Sequence, residues 1–411
     1  MLKLLKFFLA LLITFTVLVG VGNVFANYLK TQQTNEKIAA LQLPENFKVT
    51  VFAGHTSEQN LEGARLMTIG PDGHLYLSLP KQGKVVMLPD ENQDGMADKI
   101  VLVAENLNAP HGLAFAGETL YVANQDGVVR LDKTAGQWPA TKITPIIRNL
   151  ATGWHTLKTI KVGPDGYLYL NVGSSCNVCV EEDSTRATIH RYTLEGKPAG
   201  HLITLGRHAQ SAVWATGLRN SQGFVWHPVT GEMFATNEGS DNRSEFKNGK
   251  VNDELPPEHL NKIIGGQHYG WPYCWGKEAD GTQFADPNFV GEPNFCKTTQ
   301  APAIMFTSHS TPIGITFLDK ANVPEDYKKD ALVAMHGSWN RKQLSGYKVV
   351  RVRFNEAYQP VAVEDFMSGW LNKNTAWGRP VDVVVGNDGA IYLSDDETGL
   401  IYRIRYQPSI K

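Results

Sequence analysis

One turn-and-strand phrase recurs along this chain and limits what it can fold into. It begins as Gly70-Pro71-Asp72-Gly73-His74-Leu75-Tyr76-Leu77-Ser78. It returns as Ala116-Gly117-Glu118-Thr119-Leu120-Tyr121-Val122-Ala123 and as Gly163-Pro164-Asp165-Gly166-Tyr167-Leu168-Tyr169-Leu170. Looser copies run from His227 to Ala235 and from Lys329 to Ala334, and the last is Gly386-Asn387-Asp388-Gly389-Ala390-Ile391-Tyr392-Leu393. Asp-Gly supplies a turn with positive φ, and the Leu-Tyr-Leu alternation suits a half-buried strand. One hairpin cannot bury its apolar faces alone, so neighbours must stack. The first copies are spaced near the roughly 40–45-residue period of propeller blades. The sequence therefore predicts an all-β fold, a six-bladed β-propeller over residues 43–408. The run Phe47-Lys48-Val49-Thr50-Val51-Phe52 precedes the first copy and is expected to complete the last blade, closing the ring. No long segment after Ala40 keeps a 3.6-residue apolar period, which disfavours a helical fold. Long insertions between the fourth and fifth copies, Glu238 to Ala321, are expected to form the functional face.

The N-terminus reads as a targeting segment. Lys3 and Lys6 precede an apolar stretch from Phe7 to Val21, and Val24-Phe25-Ala26 offers a small-residue cleavage site. Residues 1–26 are thus either a signal peptide or an N-terminal membrane anchor, because Leu4 to Phe25 is nearly long enough to span a bilayer. Residues 27–42 then form a linker. Either way the body is expected outside the cytoplasm, periplasmic or extracellular, with a membrane tether through residues 4–25 in the second case. Cys176, Cys179, Cys274 and Cys296 fit that compartment as disulfides. Proximity suggests Cys176 with Cys179 and Cys274 with Cys296, although three connectivities exist. A haem site would need His after Cys-x-x-Cys, where Val180 stands, and no second Cys-x-x-Cys supports zinc. The net charge of −2 gives no electrostatic reason to expect a nucleic-acid partner.

Three short stretches place cationic or polar groups just before a repeated strand, where loops face a propeller's channel, and two similar stretches come later. They are Pro110-His111-Gly112, Gly153-Trp154-His155-Thr156-Leu157-Lys158, Gly217-Leu218-Arg219-Asn220-Ser221-Gln222, Ser338-Trp339-Asn340-Arg341 and Trp377-Gly378-Arg379-Pro380. Each alone reads as a loop cap or surface group. Their repetition at equivalent positions points to a shared centre suited to a polyanionic small ligand, with His155 available as a proton acceptor. A second constellation, Glu238-Gly239-Ser240-Asp241 with Asp253, Glu254, Asn261 and Tyr269, offers hard oxygen ligands that suit Ca²⁺, or else is a solvated acidic loop. Asp90-Glu91-Asn92-Gln93-Asp94-Gly95-Met96-Ala97-Asp98 resembles half of an EF-hand loop but has Val101 where the bidentate Glu would stand. It is either a truncated calcium loop or a polar hairpin tip.

Together these residues resemble the soluble pyrroloquinoline quinone (PQQ)-dependent sugar dehydrogenases, most closely their sorbosone dehydrogenase-like branch. The resemblance runs from Leu43 to Tyr406. It rests on Val172-Gly173-Ser174-Ser175-Cys176-Asn177-Val178-Cys179, Ala215-Thr216-Gly217-Leu218-Arg219-Asn220, Leu255-Pro256-Pro257-Glu258-His259-Leu260-Asn261, Tyr269-Gly270-Trp271-Pro272-Tyr273-Cys274 and Gly337-Ser338-Trp339-Asn340-Arg341. It implies PQQ over the channel mouth with Ca²⁺ bound to it, a sugar substrate and an external electron acceptor. His155 matches the base that takes the sugar hydroxyl proton. Arg219 matches the arginine beside the reduced quinone oxygen, with Asn220 and Gln222 alongside. Gly239 and Ser240 match the carbonyl ligands of the catalytic calcium. Asp253, Tyr269 and Glu238 fall near a second, structural calcium. Arg379, Arg341 and His111 match cofactor-contacting positions. Trp154 stands where sugar-oxidising relatives often have aspartate, Ser240 replaces a proline, and the stretch from Asn242 to Asn252 is longer than in simple relatives. Two other readings share the fold: a calcium-dependent propeller lactonase or hydrolase, which needs Glu, Asn and Asp side chains converging on the axis, and a non-catalytic binding module.

Overall fold

The Gly-Pro-Asp-Gly phrases form turns between the two inner strands of a blade. Gly73, Gly166 and Gly389 take the positive φ that each turn requires, at 83°, 78° and 74°. The aspartate of each turn accepts a hydrogen bond from the tyrosine four residues on: Tyr76 to Asp72 at 2.7 Å, Tyr169 to Asp165 at 3.0 Å and Tyr392 to Asp388 at 3.1 Å. A buried phenol needs such a partner, so the repeated Asp and Tyr are one structural unit. In the fourth copy His227 stands in for the aspartate, its Nδ1 accepting from the amides of Val229 and Thr230.

The computed structural model describes residues 33–56, 59–201, 211–276 and 282–408. Six four-stranded antiparallel sheets result. Blade 1 comprises Met67–Ile69, Leu75–Leu79, Lys84–Leu88 and Val101–Ala104. Blade 2 comprises Gly112–Ala116, Thr119–Asn124, Gly127–Leu131 and Ile143–Ile147. Blade 3 comprises Ile160–Val162, Leu168–Val172, Thr188–Tyr192 and Val213–Thr216. Blade 4 comprises Phe224–Trp226, Met233–Asn237, Glu258–Ile263 and Ile304–Phe306. Blade 5 comprises Pro312–Phe317, Ala331–Met335, Lys348–Phe354 and Pro360–Met367. Blade 6 runs Pro380–Val385, Ile391–Asp395 and Leu400–Tyr406, and its outermost strand is Phe47–Ala53, paired from Phe47 opposite Tyr406 to Ala53 opposite Ile401. The six-bladed propeller and its closure by the N-terminal run are as the sequence predicts.

Two expectations change. The repeated strands are buried on both faces rather than half-buried, as in Leu75–Leu79, Leu168–Val172 and Ile391–Asp395. The cause is the sandwiching of each blade. Leu75 and Leu77 pack toward blade 6 while Tyr76 packs toward blade 2, and every blade interface has its own apolar cluster. The stretch from Glu238 to Ala321 is not wholly insertion either, because it carries two strands of blade 4 and the innermost strand of blade 5. Between the two blade 4 strands it adds a hairpin, Cys274–Gly276 with Gln283–Ala285.

Both disulfides pair as proximity suggested, Cys176 with Cys179 and Cys274 with Cys296. In the loop from Asp90 to Asp98 the carboxylates are engaged locally: Asp90 accepts from the amides of Asp94 and Gly95, and Asp98 from Glu91 and Asn92. The targeting segment, residues 1–26, lies outside the described residues. Among those described, no helix is long and apolar enough to cross a membrane.

Candidate active site

The segments leading into the six innermost strands deliver a cation or a histidine each, at one end of the channel: Arg65, His111, His155, Arg219, His309 and Arg379. Inner strands approach too closely for side chains between them. A Cβ on Gly112 would lie 2.3 Å from the Ile160 amide nitrogen, and one on Gly223 only 1.8 Å from the Ile313 carbonyl oxygen. The channel is therefore narrow, and polar side chains collect at its mouth.

On one side of the mouth lies a committed network. Arg65 donates to Asp396 at 2.9 Å, to His111 Nε2 at 3.3 Å and to Gln222 at 3.0 Å. Gln222 in turn donates to Glu238 at 3.1 Å, and His336 bonds the other Asp396 oxygen at 2.9 Å. His111 is fully buried, with Nδ1 toward the Lys158 carbonyl at 3.2 Å. Burial and the charge of Arg65 hold its pKa well below the ordinary value, so the ring is neutral and both nitrogens are engaged.

On the other side a cavity of about 220 Å³ is lined by Trp154, His155, Arg219, Glu238, Gly239 and Asp241, with Glu258, His309, Thr311, Trp339 and Asn340 opposite. Its rim carries two exposed indoles, Trp154 and Trp339, at 48% and 72% exposure. His155 adopts φ +43°, an uncommon conformation for a residue with a side chain. Its Nδ1 lies 2.9 Å from the Ser174 hydroxyl, and the Trp154 ring stacks on it at 5.1 Å. Burial, followed by the charge of Arg219, lowers its pKa to about 3. The imidazole is thus neutral near neutral pH, and among the described residues Nε2 has no hydrogen-bond partner. That is the state a general base needs.

Arg219 is 3% exposed. It pairs with Asp241 at 2.9 Å and donates to the Asn177 carbonyl at 3.2 Å and the Asn177 side-chain oxygen at 3.1 Å. Asp241 also accepts from Asn340 at 2.5 Å. Burial works to raise its carboxyl pKa, but His309 and Arg219 outweigh that and hold it below the usual value. Two further carboxylates are buried. Glu238 accepts from Asn220 at 3.0 Å, and Glu258 accepts from the amides of Gly239 and Thr311. Burial raises the pKa of both, that of Glu258 to about 7. No cationic side chain pairs with either among the described residues. The Asn220 side-chain oxygen is buried without a partner. A Cβ at Gly239 would press on Pro256 at 3.0 Å and on the Pro257 carbonyl at 3.1 Å. Buried oxygens lacking positive charge suit a hard cation such as Ca²⁺. Among the described residues Glu238, Asp241 and Glu258 do not bring three oxygens within 4.8 Å of one another, and each accepts a hydrogen bond from the protein.

The structure brings His155, Arg219, Glu238 and Gly239 together, with Ser240 and Asn220 buried beside them. It places other expected residues apart from the cavity lining. Tyr269 is buried between blades 3 and 4, its hydroxyl between the Ile264 amide and the Lys262 carbonyl. Asp253 accepts from the Lys342 amide at 3.0 Å. Arg341 binds the Ser308 carbonyl and Glu254, while Arg379 lies over the carbonyls of His336 and Gly337. Arg65 and His309 were not among the residues expected at the site. The signal for both was a charged or imidazole residue just ahead of a short apolar triplet, repeated blade by blade. Asp241 was expected among the hard oxygen ligands and is instead the ion-pair partner of Arg219, and Glu258 lay inside a quoted motif without an assigned role.

A curated protein of Borreliella burgdorferi, uncharacterised, is 26% identical over 92% of this chain and 94% of its own length. The pyrroloquinoline quinone-dependent pyranose dehydrogenase of Coprinopsis cinerea is 23% identical over 83% of this chain, which spans about half (52%) of that longer protein. The calcium structure of a Trichoderma reesei family AA12 carbohydrate-active enzyme superposes with a TM-score of 0.75 at 19% identity, covering 89% of this chain and 97% of that one. The TrAA12-like family model matches residues 43–407, the whole propeller, and the chain belongs to that family.

Proposed function

We propose that this protein is a PQQ- and calcium-dependent oxidoreductase that oxidises a sugar, either an aldose or a sorbosone-like aldehyde. The observation that carries the reading is His155, neutral and with Nε2 unengaged, in one cavity with a buried arginine and buried carboxylate oxygens. The relatives' names and the family membership support the cofactor class.

Bound PQQ would supply a two-electron acceptor carbon, and Ca²⁺ a Lewis acid that polarises it. Gly239 and Ser240 would offer carbonyl oxygens to the cation, with Glu238 and Glu258 balancing its charge. Arg219 would face the quinone oxygen, while Arg341 and Arg379 would have to leave their present partners, Ser308 with Glu254 and the carbonyls of His336 and Gly337, to pair with the cofactor's carboxylates. His155 Nε2 takes the proton of the sugar hydroxyl while the hydride on the same carbon leaves with its electron pair, so an aldose yields a lactone. Arg219, held rigid by Asp241 and Asn177, stabilises negative charge without reorganising. Trp154 and Trp339 offer flat apolar faces to a sugar ring at the rim. An external acceptor would reoxidise the bound cofactor. We also infer export, supported by the N-terminal charge and apolarity pattern and by both disulfides.

The test is to incubate the purified chain with PQQ and Ca²⁺ and screen sugars for dye reduction. Activity is expected only with both, and His155→Ala or Arg219→Ala should lower kcat by about 100-fold or more. Absence of PQQ binding, or variants as active as the parent, would overturn the reading. The cation is tested separately on apoprotein: Ca²⁺ at about 100 times its Kd should add roughly 2.7 kcal/mol of stability, reversed by chelation.

A further inference from the structure

The loop after the second strand of blade 3, Ser174 to Cys179, touches two different parts of the candidate centre. Ser174 has one hydroxyl proton, which goes to the Cys176 carbonyl at 2.7 Å. Its contact with His155 Nδ1 at 2.9 Å must therefore be one in which the serine oxygen accepts, so Nδ1 carries the ring proton. That leaves the lone pair on Nε2. Next in the chain, Asn177 accepts from Arg219 with both its backbone and side-chain oxygens. Its carbonyl also takes the Trp271 indole at 3.1 Å. The same side chain brackets Asp241, its oxygen accepting from the Asp241 amide at 2.7 Å and its nitrogen donating to the Asp241 carbonyl at 2.8 Å.

Residues 175–180 have no regular secondary structure and are partly or fully exposed. Such a segment ordinarily samples many conformations. Here the Cys176–Cys179 disulfide closes it into a small ring. The two residues whose oxygens face the centre, Cys176 and Asn177, lie inside that ring.

Resting on the oxidoreductase reading above, we propose that the disulfide-closed loop is the positioning device of the site. Ser174 and the Cys176 carbonyl set which nitrogen of His155 is protonated, and Asn177 sets the guanidinium of Arg219. Ser174 and Asn177 are then positioning residues, acting through the base and the arginine.

The experiment has one arm that needs no cofactor. Long-range ¹H–¹⁵N spectra of the labelled full chain near pH 7.5 report histidine tautomers, with His155 identified by the signals lost in His155→Gln. The Nδ1–H form is expected in the parent and in Ser174→Thr, and a loss of that form in Ser174→Ala. An Nε2–H parent, or a Ser174→Ala protein that keeps the parent tautomer, would overturn the proposal. The second arm adds PQQ, Ca²⁺ and a sugar the parent oxidises. Ser174→Ala should lower kcat about 10–100-fold with KM within roughly 3-fold, and Ser174→Thr should recover most of the loss. An unchanged kcat, or a loss confined to KM, refutes it. The double variant Cys176→Ala/Cys179→Ala should match Ser174→Ala in both readouts. If it melts as a folded propeller yet keeps tautomer and kcat, the role of the disulfide is refuted, and if it does not fold the serine variants still decide. A parent that oxidises no sugar sinks the functional reading alone, since the tautomer spectra remain interpretable.

Discussion

Replacing Asp241 with asparagine should destabilise the apoprotein by an amount the geometry bounds. Arg219 and Asp241 are 4% and 14% exposed at their side chains, so solvent screens their pairing weakly. Removing one partner of a buried pair costs about 3–5 kcal/mol, because the remaining charge stays buried. Asparagine keeps one oxygen for the guanidinium, and Asn177 supplies two more acceptors, which brings the expectation to about 2–4 kcal/mol. With an unfolding entropy near 2.1 cal/mol/K per residue, a propeller of this size loses about 3–5 °C in Tm. Because Asp241 has a depressed folded pKa, its contribution is present above the unfolded value near 3.8 and is lost as pH falls through the folded one. The difference between the two proteins should thus be full near pH 7 and close below about pH 4. Melting followed by fluorescence from pH 3 to 8 measures both, with Arg353→Ala, from an exposed pair at 3.1 Å, as a control expected to leave Tm unchanged. A Tm for Asp241→Asn within about 1 °C of the parent at pH 7, or a difference that does not vary with pH, would refute the view of Arg219 as a buried, charge-compensated group.

Gly173→Ala would place a Cβ 2.4 Å from that of His155, so dye reduction should fall by at least about 10-fold while circular dichroism stays that of a folded propeller. Tyr402→Phe strands two buried partners, Asp395 at 3.0 Å and the Trp370 indole at 3.2 Å, and should cost about 2–4 kcal/mol in denaturant melts. His190 and His259 are buried and neutral, with pKa values lowered to about 4 by burial. Between pH 6.5 and 4 the unfolded chain binds protons there that the native state does not, so each should remove up to about 1.4 kcal/mol of stability per pH unit on acidification. A His259→Gln protein whose stability falls just as steeply over that range would contradict this.

The architecture was legible because each Asp-Gly turn and its tyrosine sit in sequence beside the strand they stabilise. His155 and Arg219 were legible for a related reason: both directly precede an innermost strand, so local position maps onto radial position. Glu258 was not, because a carboxylate inside a third strand reads as a solvated face until the amides of Gly239 and Thr311, from two other segments, close on it. The role of Asn177 was equally hidden, since its contacts lie 42 and 64 residues away in sequence. Arg65 escaped notice because its partners, His111, Gln222 and Asp396, come from three other blades.

The pairing of Phe47–Ala53 with Leu400–Tyr406 acts as the clasp of a bracelet. Every other blade is built from strands close in sequence, whereas this one joins segments about 350 residues apart, the kind of contact that forms late. Until it forms, the faces of blade 6 and of its neighbours lack part of their cover, and the partly assembled ring presents an open edge to other chains. The clasp lies on the outer rim, because Phe47–Ala53 is the outermost strand of its blade. Just ahead of it Gln42 pairs with Ser368 and the Lys37 ammonium lies 5.6 Å over the Trp377 ring, so the segment leading into the clasp also straps blade 6 to blade 5.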